Sequence, residues 1–160
     1  MVWVGVCVRG LLEPFFIEDR LTGQTYLELM QQDVIPALAA LGVECFQQDG
    51  ASSHYAKIVR GYLNEAMPGR WIGRGSPTQS WPARSPDLTP PDFWLWGHLK
   101  ARVFKTSQPT SLDELRQRIV DIFEELRSDE ELLLRVCQSA VVRLEECLEQ
   151  EGRPVRHRGH

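Results

Sequence analysis

Two stretches of the sequence place an acidic residue at the boundary of a regular element, where a carboxylate can do chemistry. FQQDGASSHYA (46–56) puts Asp49 directly after a short apolar strand, and WPARSPDLTPPDFWLWGHLK (81–100) puts Asp92 in the first turn of a helix. The dipole at a helix N-terminus favours an ionised carboxylate. Ionised carboxylates are hard oxygen ligands of the kind that hold Mg²⁺ or Mn²⁺ at phosphate-processing sites.

Both carboxylates also have an ordinary structural explanation. An Asp at a strand end is commonly a turn former, and an Asp at a helix start is commonly a cap. Composition alone favours these roles over metal binding. Asp87, which precedes Leu-Thr-Pro-Pro, is interpreted as a turn residue rather than a ligand.

The elements around Asp49 follow an α/β order. Residues 2–8 and 11–17 are β-branched and aromatic runs that predict a hairpin, with Pro14 at an edge position. Apolar residues at three-to-four spacing over 26–41 predict a helix, which Gly42 ends and Pro36 kinks. The pattern then predicts a strand and a further helix, over 43–48 and 55–63.

The second half of the chain is predicted to be a long loop followed by helices. Residues 73–91 are rich in Gly, Pro and Ser without an apolar period, and a helix is predicted to start at Pro90 or Pro91. Two more helices follow, and each has the sequence of a capping box at its start: Ser111-x-x-Glu114 and Ser128-x-x-Glu131.

These stretches resemble the mariner superfamily of DNA transposases, whose nucleases use an Asp-Asp-Asp or Asp-Asp-Glu triad on a ribonuclease-H-like fold. QDGASSHYA resembles the strand-turn-helix around the second acidic residue, which would be Asp49. WPARSPDLTPPDFWLW resembles the segment that ends in the third, which would be Asp92. VWVGV, PFFIE and TGQTYLELM resemble the elements before Asp49, so the likeness covers roughly residues 2–105.

The resemblance implies a nuclear, metal-dependent DNA endonuclease and strand transferase by ancestry. Asp49 and Asp92 would be its catalytic residues and would hold Mg²⁺ or Mn²⁺. His54, five residues after Asp49, resembles the family's histidine and could orient a carboxylate or contact phosphate. A local hydrogen bond at a helix start is an equally good interpretation of His54.

Two departures from the family pattern lower the expected activity. The family's first Asp lies on the strand before the VWVGV-like strand, and here that strand starts at Met1; Glu18 and Asp19 do not match the position. We therefore expect a ribonuclease-H-like fold that is truncated at the N-terminus, without its first central strand, its first catalytic Asp or a helix-turn-helix domain. The expected domains are a partial catalytic domain (1–106), a helical pair (107–152) and a basic tail (153–160).

The charge of the chain is unevenly distributed. The net charge is -4, yet residues 60–105 contain 7 basic and 3 acidic residues, whereas residues 113–151 contain 12 acidic and 5 basic ones. We expect the middle of the chain to bind DNA weakly and without sequence preference. The candidate phosphate contacts are Arg70, Arg74, Arg84 and Lys100. Isolated arginines in loops are more often simply solvated, which is the alternative for the three arginines.

Other features restrict the protein class. No window is long and apolar enough to span a membrane, so we expect a soluble, intracellular protein. The four cysteines form no CxxC pair, which predicts buried, reduced thiols rather than zinc ligands or disulfides. The rival hypothesis is a non-catalytic, co-opted module that binds DNA or a protein partner; whether the chain forms a homodimer is left open.

Overall fold

The computed structural model describes residues 1–82 and 84–155, which form two compact units. The first unit contains Met1 and residues 16–85, and the second contains residues 2–15 and the chain from Pro86 onward. Most of the predicted basic tail, residues 156–160, lies outside the described residues. The predicted domain boundaries at 106 and 152 stay predictions.

The predicted hairpin is confirmed in the first residues of the chain. Its strands are β1 (Val2–Trp3), β2 (Val6–Cys7), β3 (Gly10–Leu11) and β4 (Phe15–Phe16), with β1 beside β4 and β2 antiparallel to β3. Leu12 donates to the Gly5 carbonyl (2.9 Å), while the Trp3 ring packs against Phe15 at 5.8 Å. Between these two contacts, the second half of the hairpin contains one residue more than the first half. The extra residue falls in the segment that contains Pro14, which has no N–H to donate to a neighbouring strand.

In the first unit, the predicted helix consists of α1 (Gly23–Leu29) and α2 (Ile35–Ala40), joined by a π-helical turn at Met30–Val34. Thr22 caps α1 by accepting a hydrogen bond from the Thr25 backbone N–H. Gly42 ends α2 in the left-handed conformation (φ 63°), and Val43 donates back to the Leu38 carbonyl at 2.9 Å. This is the glycine-terminated helix end that the sequence predicts.

Pro36 explains the π-helical turn. Proline has no N–H, and its ring would clash with the carbonyl four residues earlier in an α-helix. The backbone before it widens, and the Ile35 N–H bonds to the Met30 carbonyl, five residues back. The helix irregularity predicted as a kink at Pro36 is therefore a π-helical turn just before it.

Strands β5 (Phe46–Gln47) and β6 (Trp71–Ile72) pair in parallel and are connected through α3 (Lys57–Ala66). Phe46 lies opposite Trp71, and α3 packs on α1 with Val59 and Leu63 fully buried. The strand predicted over 43–48 is thus shorter than expected. Sequence reasoning missed β6, whose signal is the apolar Trp-Ile pair between two glycines.

The second unit places three helices around one core. A π-helical turn at Pro91–Leu95 leads into α4 (Trp96–Val103), which confirms the helix predicted to start at Pro90 or Pro91. The long helices α5 (Leu112–Arg127) and α6 (Glu130–Glu149) follow. The buried side chains that these helices share with the hairpin are Val4, Leu11, Leu95, Leu99, Val103, Ile122, Phe123, Leu126 and Leu133.

The helix caps confirm one prediction in part and correct another. Ser111 caps α5 by accepting from the Glu114 N–H at 3.1 Å, but the Glu114 side chain accepts from the Thr110 N–H at 2.7 Å, so only the Ser111 half of the predicted capping box is present. The capping box predicted at Ser128 is wrong, because Asp129 caps α6 by accepting from the Leu132 N–H at 2.9 Å. Ser128 has helical dihedral angles (φ −77°, ψ −10°) and ends α5, so its backbone lacks the extended shape of an N-cap.

Within the described residues, the strands form three separate two-stranded pairs, as expected for an incomplete α/β fold. No helix in the described ranges has the length and apolar character that a membrane crossing requires. All four cysteines are free thiols, but the prediction that they are buried is wrong: Cys45 is exposed, and the other three are half-buried.

Candidate metal and DNA site

Asp49 lies in the turn that follows β5. Its Oδ1 atom accepts a hydrogen bond from the Ala51 backbone N–H (3.0 Å) and lies 2.5 Å from Nδ1 of His54. Asp49 therefore has the turn-forming role that was one of its two alternatives, and the local hydrogen bond of His54 is also the one that orients the Asp49 carboxylate. Among residues 1–82 and 84–155, no hydrogen-bond donor contacts the second oxygen, Oδ2.

Buried residues hold His54 in place. Its ring stacks on Tyr26, with centroids 4.1 Å apart and planes at 29°. The Tyr26 hydroxyl donates to Oε1 of buried Gln48 (3.0 Å), and Nε2 of Gln48 donates to the His54 carbonyl (3.2 Å). We call this set the Tyr26–Gln48–His54–Asp49 network. The network runs from a fully buried tyrosine to a carboxylate whose side chain is 44% exposed.

The network keeps Asp49 ionised. The hydrogen bond from His54 is the main cause that lowers the pKa of Asp49 below its usual value, and the Ala51 N–H and the charge of His54 act in the same direction. Partial burial opposes these effects without reversing them. Because the partner is a carboxylate, the proton of a neutral His54 ring lies on Nδ1.

Asp92 belongs to the second unit and lies in the π-helical turn at Pro91–Leu95. It is exposed, and its N–H donates to the Thr89 carbonyl at 2.9 Å. The residues before it are anchored: Oδ2 of Asp87 accepts from the Val155 N–H (2.7 Å), and Arg143 donates to the Asp87 carbonyl (3.2 Å). Asp87 is therefore a turn residue, as predicted, and also a tether that the sequence did not indicate.

Arg143 provides a further anchor by lying 4.3 Å over the ring of Phe93, the residue after Asp92. Leu88 and Thr89, which precede Pro90 and the π-helical turn, are buried. The segment that carries Asp92 is thus held from both sides by contacts within its own unit.

The donor set suits a divalent metal ion in part. Asp49 is ionised, half-exposed and has an oxygen open to a ligand, which are the properties of a carboxylate that can bind Mg²⁺ or Mn²⁺. In the described part of the chain, no three His, Cys, Asp or Glu side chains converge on one metal position. The prediction that the Asp49 and Asp92 carboxylates approach within about 4 to 7 Å stays a prediction.

The predicted phosphate contacts have different surroundings. Arg70, Arg84 and Lys100 are exposed. Arg74 is also exposed, but its guanidinium lies 4.3 Å from the ring centroid of Tyr55. Arg60 lies 4.4 Å over the same ring, and the sequence analysis did not single it out. Its spacing of five residues from Tyr55 was the sequence feature that could have indicated this contact.

Comparison with known proteins gives relatives of one kind. No family model matches the chain. The transposable element Tc3 transposase of Caenorhabditis elegans is 27% identical over 161 residues, which is 98% of this chain and 45% of the relative. The chain thus spans less than half the length of this curated relative.

Two solved structures of the Mos1 transposase share the fold. The Mos1 catalytic domain with raltegravir and Mn has a TM-score of 0.78 at 20% identity, covering 97% of this chain and 76% of that one. The Mos1 mariner paired-end complex with Mn has a TM-score of 0.75 at 20% identity, covering 96% of this chain and 44% of that one.

The shared architecture is that of a ribonuclease-H-like transposase catalytic domain. The chain therefore shares the fold of the Mos1 catalytic domain, and its sequence is similar to that of the Tc3 transposase along nearly its whole length.

Proposed function

We propose that this chain is part of a DNA-processing transposase domain, in which Asp49 and Asp92 bind a divalent metal ion for phosphodiester chemistry. The observation that carries the proposal is the ionised Asp49 carboxylate, fixed through one oxygen by His54 and open at the other. The motif around Asp92 supports it as the second carboxylate. The Mos1 structures with Mn, and the Mos1 paired-end complex with a left transposon end, support metal and DNA as ligands.

In this proposal Asp49 and Asp92 would bind the metal ion, and the residues that contact them would orient their carboxylates. Oδ2 of Asp49 is the ligand atom, and His54 holds the carboxylate in one orientation and keeps it unprotonated through Oδ1. Asp92 presents a second carboxylate from a segment that Arg143 and Val155 anchor. When bound, a divalent metal ion supplies polarisation of a phosphate oxygen and a lowered pKa for bound water.

Weak, salt-dependent DNA binding is part of the proposal. The basic residues between 60 and 105 attract phosphates, whereas the acidic final helices, with 12 acidic and 5 basic residues over 113–151, repel them. A nuclear location belongs to the same proposal, because that is where such a protein meets chromosomal DNA.

Metal binding tests the proposal directly. Mn²⁺ titrations followed by electron paramagnetic resonance should show binding by the wild-type chain and a loss of at least about tenfold in affinity for Asp49→Asn and Asp92→Asn. Asp33→Asn, at an exposed position of the first unit, is the matched control and should bind as the wild type does. Equal Mn²⁺ affinity in all four proteins would contradict the metal site.

DNA binding needs a separate measurement. Anisotropy of a labelled duplex should show binding at low salt that weakens steeply towards physiological salt and does not depend on sequence. If the chain bound neither Mn²⁺ nor DNA, a co-opted protein-binding module would become the better account.

A further inference from the structure

Two arginines share one aromatic ring beside the Asp49 turn. The guanidinium carbon of Arg60 lies 4.4 Å from the Tyr55 centroid, and that of Arg74 lies 4.3 Å from it. Both distances are within the range of cation–π attraction. We call Arg60, Tyr55 and Arg74 the Tyr55 cluster.

The fold brings the three residues together from separate segments. Tyr55 lies in the turn before α3, and Arg60, within α3, donates from Nε to the Tyr55 carbonyl at 3.1 Å. Arg74 comes from the turn after β6. Gly75, with φ 79°, packs closely against the cluster, because a Cβ there would lie 3.0 Å from both Arg60 and Tyr55.

The cluster borders the candidate metal ligand. The Arg74 side chain lies 3.7 Å from the position that a Cβ on Gly50 would occupy, and Gly50 directly follows Asp49. The aliphatic part of the Arg74 side chain therefore passes beside the turn that presents the Asp49 carboxylate.

The two arginines differ from others of the described chain in their charge partners. Within the described ranges, neither Arg60 nor Arg74 forms an ion pair, whereas several other arginines pair with glutamates. Tyr55 fixes the two guanidiniums without cancelling their charge. A planar guanidinium with several N–H donors matches the geometry of phosphate oxygens.

We propose that the Tyr55 cluster binds a backbone phosphate of DNA beside Asp49, and this rests on the proposed function. The phosphate contact is thus assigned to Arg60 and Arg74 together on the Tyr55 ring, whereas the sequence analysis named Arg74 without Arg60. Because guanidiniums already cover the Tyr55 ring, the ring is not offered to a stacking base, and the contact carries no sequence preference.

The test measures duplex affinity against salt for the full chain and for matched variants. Arg60→Ala/Arg74→Ala removes both charges, and Arg20→Ala/Arg153→Ala removes two exposed charges elsewhere. The first double variant should lower the salt slope by about 1, because the one phosphate that the cluster neutralises contributes about 0.9. The control should keep the wild-type slope. Tyr55→Phe keeps the ring and should bind normally, whereas Tyr55→Leu should weaken binding.

The outcomes separate this inference from the proposed function. If the wild type binds duplex and Arg60→Ala/Arg74→Ala matches the control, the cluster proposal is wrong while DNA binding stands. If the wild type binds no duplex even at low salt, the DNA-binding proposal fails. Titration of a thymidine dinucleotide, followed by arginine Nε–Hε NMR signals, then decides the cluster: shifts at Arg60 and Arg74 but not at Arg20 support it, and no shift overturns it.

Discussion

Nδ1 of His54 lies 2.5 Å from Oδ1 of Asp49, and the His54 ring stacks on the ring of buried Tyr26. The His54 side chain, which is only 12% exposed, therefore orients the Asp49 carboxylate, which faces solvent. The core fixes both the orientation and the protonation of Asp49, which is the arrangement that a preorganised metal ligand needs.

Removing His54 should raise the pKa of Asp49, because the hydrogen bond from His54 is the main cause of its depression. A carboxyl with a lowered folded-state pKa stabilises the fold above its unfolded pKa of about 3.9, and this stabilisation is lost as the pH falls through the folded value. The part of the wild type's stability advantage over His54→Ala that comes from this pKa shift should thus be lost on acidification below about pH 4, while the part that comes from packing on Tyr26 remains. Carbon-detected NMR titration of the Asp49 carboxyl measures the shift; an unchanged pKa in the variant would refute this role of His54.

Tyr26→Phe should destabilise the protein by about 1 to 3 kcal/mol, because it leaves Oε1 of buried Gln48 without its donor. Urea unfolding followed by circular dichroism gives the difference in the free energy of unfolding. Tyr62→Phe, on the half-buried surface of α3, is the control and should change stability by less than about 0.5 kcal/mol. Equal effects of the two variants would show that the Tyr26 hydroxyl contributes nothing.

A polypeptide of these 160 residues should show little or no metal-dependent cleavage of DNA, because the matched motifs supply two carboxylates, Asp49 and Asp92. Plasmid nicking with Mg²⁺ or Mn²⁺ is the measurement. Robust cutting that Asp49→Ala abolishes would show that these two carboxylates suffice.

Asp87→Ala should destabilise the second unit by about 1 to 2 kcal/mol, since the part-buried Val155 N–H loses its acceptor. Asp87→Asn retains an acceptor oxygen and should recover part of the loss. Hydrogen exchange at Val155 reports the bond directly. If exchange were equally slow in the alanine variant and the wild type, the tether would be absent in solution.

The sequence by itself determined the local features, because capping and turn chemistry depend on near neighbours. Gly42 ends the first long helix as predicted, Ser111 begins α5, and Pro14 and Pro36 mark the irregular positions. The order of acidic motifs around Asp49 and Asp92 was sufficient to identify the mariner resemblance, which the Tc3 and Mos1 matches support.

Only the tertiary structure decided which distant residues meet. Tyr26 reaches Gln48 across 22 positions of the sequence, and no pattern within one helix indicates that contact. Arg74 joins the Tyr55 ring because the β5–α3–β6 unit returns the chain to that turn. The choice of Asp129 over Ser128 as a cap depended on where α5 stopped. Each of these results depends on packing between segments, whose free energy is set by the whole arrangement rather than by neighbouring residues.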